Sequence, residues 1–332
     1  MGDPKQSNQN NPGASLVEPA TTVTLLPADN GHAVGLGFPI ATAGGSFLVN
    51  ADCRDWQAAA PENSIHAIVT DPPYGLKEYE DSQLLRLQNG NQGGVWRKPP
   101  VLNGVKRSPL PRFTALTPHE RQAITRFFRN WSASALRIVR PGGHMILASN
   151  SFLSQQVFSA IVEGGWEFRG ELIRLVGTLR GGDRPKLHEV EFPDVCTLPR
   201  GNYEPWGIFR KPLPKKAKVA ECLREWQTGG LRFCRDGGQF KDVILSERTP
   251  KAERALAPHP SLKPLSLMRQ LVHAALPLGV GTILDPFSGA GSTVAAAELE
   301  GLSAVGLERT PDYFALSLRA VPALIALRRC SG

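Results

Sequence analysis

The apolar positions divide the chain into short β-branched runs and longer stripes at helical spacing. Residues 64–70, Ser-Ile-His-Ala-Ile-Val-Thr, form a nearly continuous apolar run that meets Pro72 and Pro73, and so read as a buried strand stopped at its carboxyl end. Thr117-Pro118-His119-Glu120 has the residues of a capping box with proline at the first helical position. Ile124, Phe127, Phe128, Trp131 and Ala135 follow at helical spacing, which predicts an amphipathic helix with an aromatic core stripe. Residues 144–149 read as a buried strand, Leu153, Val157, Ala160 and Ile161 as one face of a helix ending at Gly164-Gly165, and residues 166–176 as another strand. Residues 46–52 predict a first strand ending in a carboxylate, with a helix around residues 56–60 after it. Near the other end, Leu267, Met268, Leu271, Val272 and Ala275 keep a helical period. Residues 281–285 and 302–307 read as strands around an Ala-rich helix at 293–300. A last helix starts at Thr310-Pro311, and Pro322 is expected to kink it or end it early. Strands and helices alternating in this way predict an α/β chain with a mostly parallel sheet and helices on both faces.

Three stretches lack such periodicity. Residues 1–44 are rich in Asn, Gln, Gly, Pro and Ala and read as a disordered or loosely docked arm. Residues 76–116 form a loop in which the span 83–112 holds Arg86, Arg97, Lys98, Lys106, Arg107 and Arg112 and no acidic residue, suited to gripping phosphates. Residues 177–258 are punctuated by proline and glycine, and carry Lys211, Lys215, Lys216 and Lys218 close in sequence to Trp206, Phe209 and Trp226. The periodic remainder falls into two halves, 45–176 and 259–332.

Charge and cysteine content narrow the partner and the compartment. A net charge of +8 over 332 residues and an isoelectric point near 9.4 favour a polyanionic partner. The five cysteines, Cys53, Cys196, Cys222, Cys234 and Cys330, show neither a Cys-x-x-Cys pair nor zinc-finger spacing, which favours free thiols in a reducing compartment and no metal. No apolar run approaches the roughly 18 residues of a membrane span, and the polar start has no signal-peptide core. A cytoplasmic protein with no membrane partner is expected.

The candidate chemistry lies at the tips of the expected strands. Asp71-Pro72-Pro73-Tyr74 follows one strand, and Asp285-Pro286-Phe287-Ser288-Gly289-Ala290-Gly291-Ser292-Thr293 follows another. Open α/β sheets bind ligands at such carboxyl ends. The glycines of the second motif permit close backbone approach ahead of a helix, and Glu308, closing the next strand, is placed to hold ribose hydroxyls. A nicotinamide fingerprint would need a third glycine where Val294 stands, and a triphosphate loop would need a lysine after Gly291.

These two motifs carry a family resemblance. Asp71-Pro-Pro-Tyr74 resembles the amino-group motif of DNA methyltransferases that modify adenine N6 or cytosine N4, and Asp285-Pro-Phe-Ser-Gly-Ala-Gly291 resembles their S-adenosyl-L-methionine motif. With the catalytic motif first, the order resembles the circularly permuted β group. The resemblance implies a Rossmann-like S-adenosylmethionine-dependent methyltransferase fold with an irregular target-recognition region, here 177–258, between the two motifs. It implies double-stranded DNA as substrate, and leaves room for a homodimer and for a cognate restriction endonuclease as further partners. It places Asp52 beside the cofactor's adenine, and Lys263, in a His-Pro-x-x-Lys-Pro segment, near its methionine part. Phe287, Gly289, Gly291, Ser292 and Thr293 complete the cofactor set with Asp285 and Glu308. Asp71, through its side chain, and Pro72, through its carbonyl, would accept the hydrogens of the target amino group, with Pro73 stiffening the turn and Tyr74 stacking on a base rotated out of the duplex. Adenine N6 is favoured because Asp heads the motif. Cytosine N4, RNA and protein amides are the alternatives. Carbon-5 cytosine methylation would need a Pro-Cys nucleophile, and no cysteine follows a proline. Arg180, Arg184, Arg232 and Arg235 are candidates for reading guanine edges.

Overall fold

The computed structural model describes residues 37–73, 101–102, 105–106, 116–180, 185, 188, 190–197, 199 and 201–329. In chain order the strands are β1 Ile40–Ala43, β2 Ser46–Asn50, β3 Ile65–Thr70, β4 Val101–Leu102, β5 Val105–Lys106, β6 Val139–Ala148, β7 Glu167–Arg180, β8 Gly201–Arg210, β9 Val243–Leu245, β10 Thr282–Asp285 and β11 Ser303–Glu308. The helices are α1 Cys53–Ala59, α2 Pro118–Ile138, α3 Ser154–Glu163, α4 Val219–Trp226, α5 Lys251–Leu256, α6 Leu265–Ala275, α7 Ser292–Leu299 and α8 Pro311–Arg329. Among the described residues no helix is long and apolar enough to cross a membrane.

Nine strands form one sheet in the order β1-β2-β11-β10-β3-β6-β8-β7-β9, and β4 and β5 form a separate antiparallel pair. The five strands from β2 to β6 in that order are all parallel. β8 then runs antiparallel to both β6 and β7, and β9 pairs in parallel with β7 at the edge. The chain steps one way from β10 to β11 and the other way from β3 to β6. Right-handed crossovers therefore send α7 and α2 to opposite faces, and the reversal between β10 and β3 opens a crevice at their carboxyl ends.

The core explains the elements. β3 is buried at all six positions, as expected of a strand covered on both faces. Thr117 caps α2 by accepting the Glu120 N–H, while Glu120 accepts the Thr117 N–H in return, and Phe128 and Trp131 of the aromatic stripe are fully buried. Leu267, Met268, Leu271, Val272 and Ala275 line the buried face of α6.

Three expectations need correction. Ile40–Ala43, read as part of the arm, is the antiparallel edge strand beside β2. Pro322 does not end the last helix, which continues to Arg329. The neighbouring Ala320, Val321 and Leu324 are fully buried, and that packing outweighs the one backbone bond a proline forfeits. Gly201–Arg210, read as irregular, is an inner strand whose Trp206 and Phe209 are core side chains rather than aromatics among lysines.

Candidate active site

The tips of β3 and β10 are joined by a buried hydrogen-bond cluster. The Thr70 hydroxyl donates to Asp285 Oδ1 at 2.6 Å, the Phe287 N–H donates to the same oxygen at 3.1 Å, and the Thr293 hydroxyl donates to Oδ2. Burial pushes the Asp285 carboxyl up to about 6, against the pull of those hydrogen bonds. Its oxygens are spent on shaping the turn between β10 and α7. Within that turn Gly289 (φ +52°) and Gly291 (φ +85°) are left-handed, and a Cβ on Gly291 would overlap Val321.

The next two strands add a carboxylate each. Glu308, closing β11, accepts the Gly289 N–H at 3.0 Å through Oε2 and the Thr310 N–H at 2.7 Å through Oε1. Asp52, just past β2, caps α1 by accepting the Arg54 N–H at 2.9 Å, and the Arg54 guanidinium holds its carboxyl below the usual range. Asn50 lies opposite Glu308 in register, and the Ala51 N–H bonds the Glu308 carbonyl at 3.1 Å. The tips of β2, β11, β10 and β3 thus present Asp52, Glu308, Asp285 and Asp71 along one rim.

Phe287 reaches from the glycine turn to α2, with its ring 5.4 Å from Trp131 and 6.3 Å from Phe127. Ser292 is the first residue of α7. His259 lies against Gly289 and meets the Tyr313 ring edge-on at 4.5 Å; burial, and then Lys263, push its imidazole down to about 4.

Asp71 leaves the tip of β3, with Pro72 buried and Pro73 half-buried behind it; Tyr74 lies outside the described residues. Lys263 Nζ stands 2.8 Å from Asp71 Oδ2 and 3.1 Å from Glu204 Oε2, so the structure ties this lysine to the Asp71 carboxylate. Sequence reasoning did not single out Thr70 or Glu204. Thr70 carries a local signal, a hydroxyl at the last position of a strand next to the motif. Glu204 carries none, because only the pairing of β8 brings it there.

The sheet also sorts the basic residues by position. β8 runs opposite to β6, so residues 211–242 leave and rejoin the sheet at its amino-terminal pole, away from Asp71. Lys211 there donates to Val139 O at 2.7 Å and Asn63 Oδ1 at 2.9 Å. Arg235 bonds the buried Glu300 carboxylate after α7, and the Arg232 N–H donates to Ala274 O at the end of α6. These two candidate base readers therefore sit at the far pole. Arg184 and the side chain of Arg180 lie outside the described residues, as does most of the basic loop 76–116.

Known proteins resemble this chain in sequence and in fold. The family model described as DNA methylase matches residues 188–319. The Type II methyltransferase M2.DpnII of Streptococcus pneumoniae is 33% identical over 278 residues, covering 83% of this chain and 90% of that protein. The Type II methyltransferase M.HindIII of Haemophilus influenzae is 25% identical over 279 residues, covering 77% and 88%. Among solved structures, the cytosine-N4-specific PvuII DNA methyltransferase shares the fold with a TM-score of 0.52 at 14% identity, over 83% of this chain and 86% of that one. TTHA0409 of Thermus thermophilus, solved in complex with S-adenosyl-L-methionine, shares it with a TM-score of 0.50 at 18% identity, over 83% and 94%.

Proposed function

This chain belongs to the DNA methylase family of amino-group methyltransferases, and on that premise we propose that it methylates adenine N6 in duplex DNA at a specific sequence. Its methyl donor is S-adenosyl-L-methionine. The observation that carries the reading is the hydrogen bond from Thr70 to Asp285, which fixes the Asp71 motif beside the glycine turn at one switch point of the sheet.

The rim fits the donor. S-adenosyl-L-methionine is cationic at its sulfonium and amino groups, and the acidic rim suits that charge, with Glu308 and Asp52 as the carboxylates left to meet the donor. Gly289 and Gly291 let the turn pack tightly against His259 and Val321, and half-buried Phe287 supplies an aromatic wall. Glu308 and Asp52 offer acceptors to ribose hydroxyls and the adenine amino group. Asp285 and Thr293 hold the turn in shape, and Ser292 opens the helix behind it. When bound, the donor supplies a sulfonium-activated methyl group.

The target nitrogen needs help, because its lone pair is delocalised into the base. The Asp71 carboxylate and the Pro72 carbonyl accept its two hydrogens and draw it toward tetrahedral geometry, which frees the lone pair for in-line attack. No covalent enzyme intermediate is required. Tyr74 stacks on the extruded base, an unstacking that costs a few kcal/mol. The proton leaves to solvent after transfer. Adenine is preferred to cytosine on the resemblance of Asp71-Pro-Pro-Tyr74 alone.

The test is transfer of labelled methyl groups to unmodified bacterial duplex DNA, then digestion and mass spectrometry of the nucleosides. N6-methyldeoxyadenosine is the expected product. N4-methyldeoxycytidine would keep the mechanism and move the target base. No methylated nucleoside from folded, donor-bound protein would overturn DNA as substrate.

A further inference from the structure

Beyond Asp71 the ion contacts continue inward. Lys263 Nζ bridges Asp71 Oδ2 and Glu204 Oε2, and Arg174 Nη1 approaches the same Glu204 oxygen at 3.5 Å from the adjacent strand, where the two residues are register partners. None of the four side chains is more than 13% exposed. Glu204 is further fixed through Oε1, which accepts the indole N–H of fully buried Trp206 at 2.8 Å. Arg174 in turn donates to Ser246 Oγ at 3.0 Å and to the Glu247 carbonyl at 3.1 Å, just beyond edge strand β9.

We propose that Glu204 is a positioning residue for Asp71, acting through the Lys263 ammonium that lies between the two carboxylates. The inference rests on Asp71 as acceptor of the target's amino hydrogens. Lys263 belongs to the segment between α5 and α6, and its flexible four-carbon stem does not by itself define where the ammonium sits. Glu204 belongs to the sheet and is pinned there by Trp206 and Arg174. An ammonium held from both sides fixes the plane of the Asp71 carboxylate, and with it the direction in which amino hydrogens are received.

Charge balance supports the same role. Asp71, Lys263, Glu204 and Arg174 alternate in sign and sum to zero. Without the Glu204 charge, two buried cations would share one carboxylate, an arrangement that buried sites do not tolerate without rearrangement. The carboxylate that rearranges is Asp71.

The experiment is single-turnover methyl transfer to unmodified duplex DNA at saturating donor, with donor and DNA affinities measured separately on the same full-length protein. Glu204→Gln keeps shape and removes charge; its rate is expected to fall about tenfold or more while both affinities stay within about threefold. Glu204→Asp, which restores the charge, is expected to recover part of the rate. A merely structural role would lower affinities along with rate, and that result, or a wild-type rate in Glu204→Gln, overturns the proposal. If Glu204→Gln does not fold, Trp206→Phe carries the test by loosening Glu204 without changing charge. A rate loss of about threefold or more at unchanged affinity supports the role, and an unchanged rate overturns it. A wild-type protein that transfers nothing to DNA overturns the functional reading itself; an active wild type with an unaffected variant overturns only the role of Glu204.

Discussion

Thr70 and Asp285, 215 positions apart in sequence, share a 2.6 Å hydrogen bond that ties the tip of β3 to the tip of β10. Thr70→Val keeps the shape and removes the donor from a buried carboxylate, which is expected to cost about 1–3 kcal/mol of stability. Because the same bond sets the Asp71 turn against the glycine turn, the methyl-transfer rate is expected to fall as well. Urea denaturation and single-turnover kinetics check the two effects. Wild-type values in both would show that the switch point does not depend on this contact.

Gly291→Ala should be among the most damaging small changes in the chain. The residue has φ +85°, a conformation that costs an alanine about 1–2 kcal/mol, and the new methyl would also overlap the Val321 side chain of α8. Adding Val321→Ala removes the overlap but not the backbone strain, so thermal melting should show partial rescue. Complete rescue would mean that the strain is negligible, and none would mean that the overlap is.

The legible parts of this chain were the local ones. The β3 run ending at Pro72, the Thr117 capping box and the glycine turn each depend on neighbours within a few residues, and the structure has all three. The illegible parts depend on pairing. β8 contains Pro205 and two glycines, which broke its strand pattern, yet its inner place in the sheet buries Trp206 and brings Glu204 to Lys263. Lys263 itself was legible as a motif residue, but its contact was not, because the lysine and Asp71 are brought together only when α6 packs beside β3 and β6. Arg232 and Arg235 looked like base readers for a similar reason. Composition records their charge, and only topology records the pole at which they stand.

Acid sensitivity has opposing contributions whose signs differ. The Asp285 carboxyl is raised to about 6 in the fold, so its contribution is fully present below 3.8 and is lost as pH rises through about 6. His144 is buried in β6 and pushed down to about 3, chiefly by burial, so its contribution is present above 6.5 and is lost as pH falls toward 3. His259 acts in the same direction, over the window from 6.5 to about 4. His144→Gln is expected to lose about 2–3 kcal/mol less than wild type between pH 7 and pH 4.5. Denaturant melts at the two pH values measure it, and equal losses would mean that His144 is not held neutral.

Asp71→Asn separates acceptance from charge. Asparagine keeps one carbonyl oxygen near Lys263 but no longer offers an anionic acceptor to the amino hydrogens. The single-turnover rate is expected to fall about a hundredfold or more, as when a preorganised electrostatic contact is removed, with donor affinity nearly unchanged. Donor affinity lost in proportion to the rate would move Asp71 from the chemistry to cofactor binding.

The location of the DNA can be tested from the residues that should not touch it. Lys215, Lys216 and Lys218 are exposed and follow β8 at the amino-terminal pole, whereas the connection from β7 to β8 and the residues after β9 leave the sheet at the Asp71 pole. A duplex presenting a base to Asp71 would be gripped at that second pole. Each phosphate contact contributes about 0.9 to the slope of log affinity against log salt. Replacing the three lysines together with glutamine should therefore leave that slope unchanged in an anisotropy titration, although it lowers the net charge by three. A loss of two or more from the slope would carry the duplex across the far pole, and would return residues 211–242 to the recognition surface that their composition first suggested.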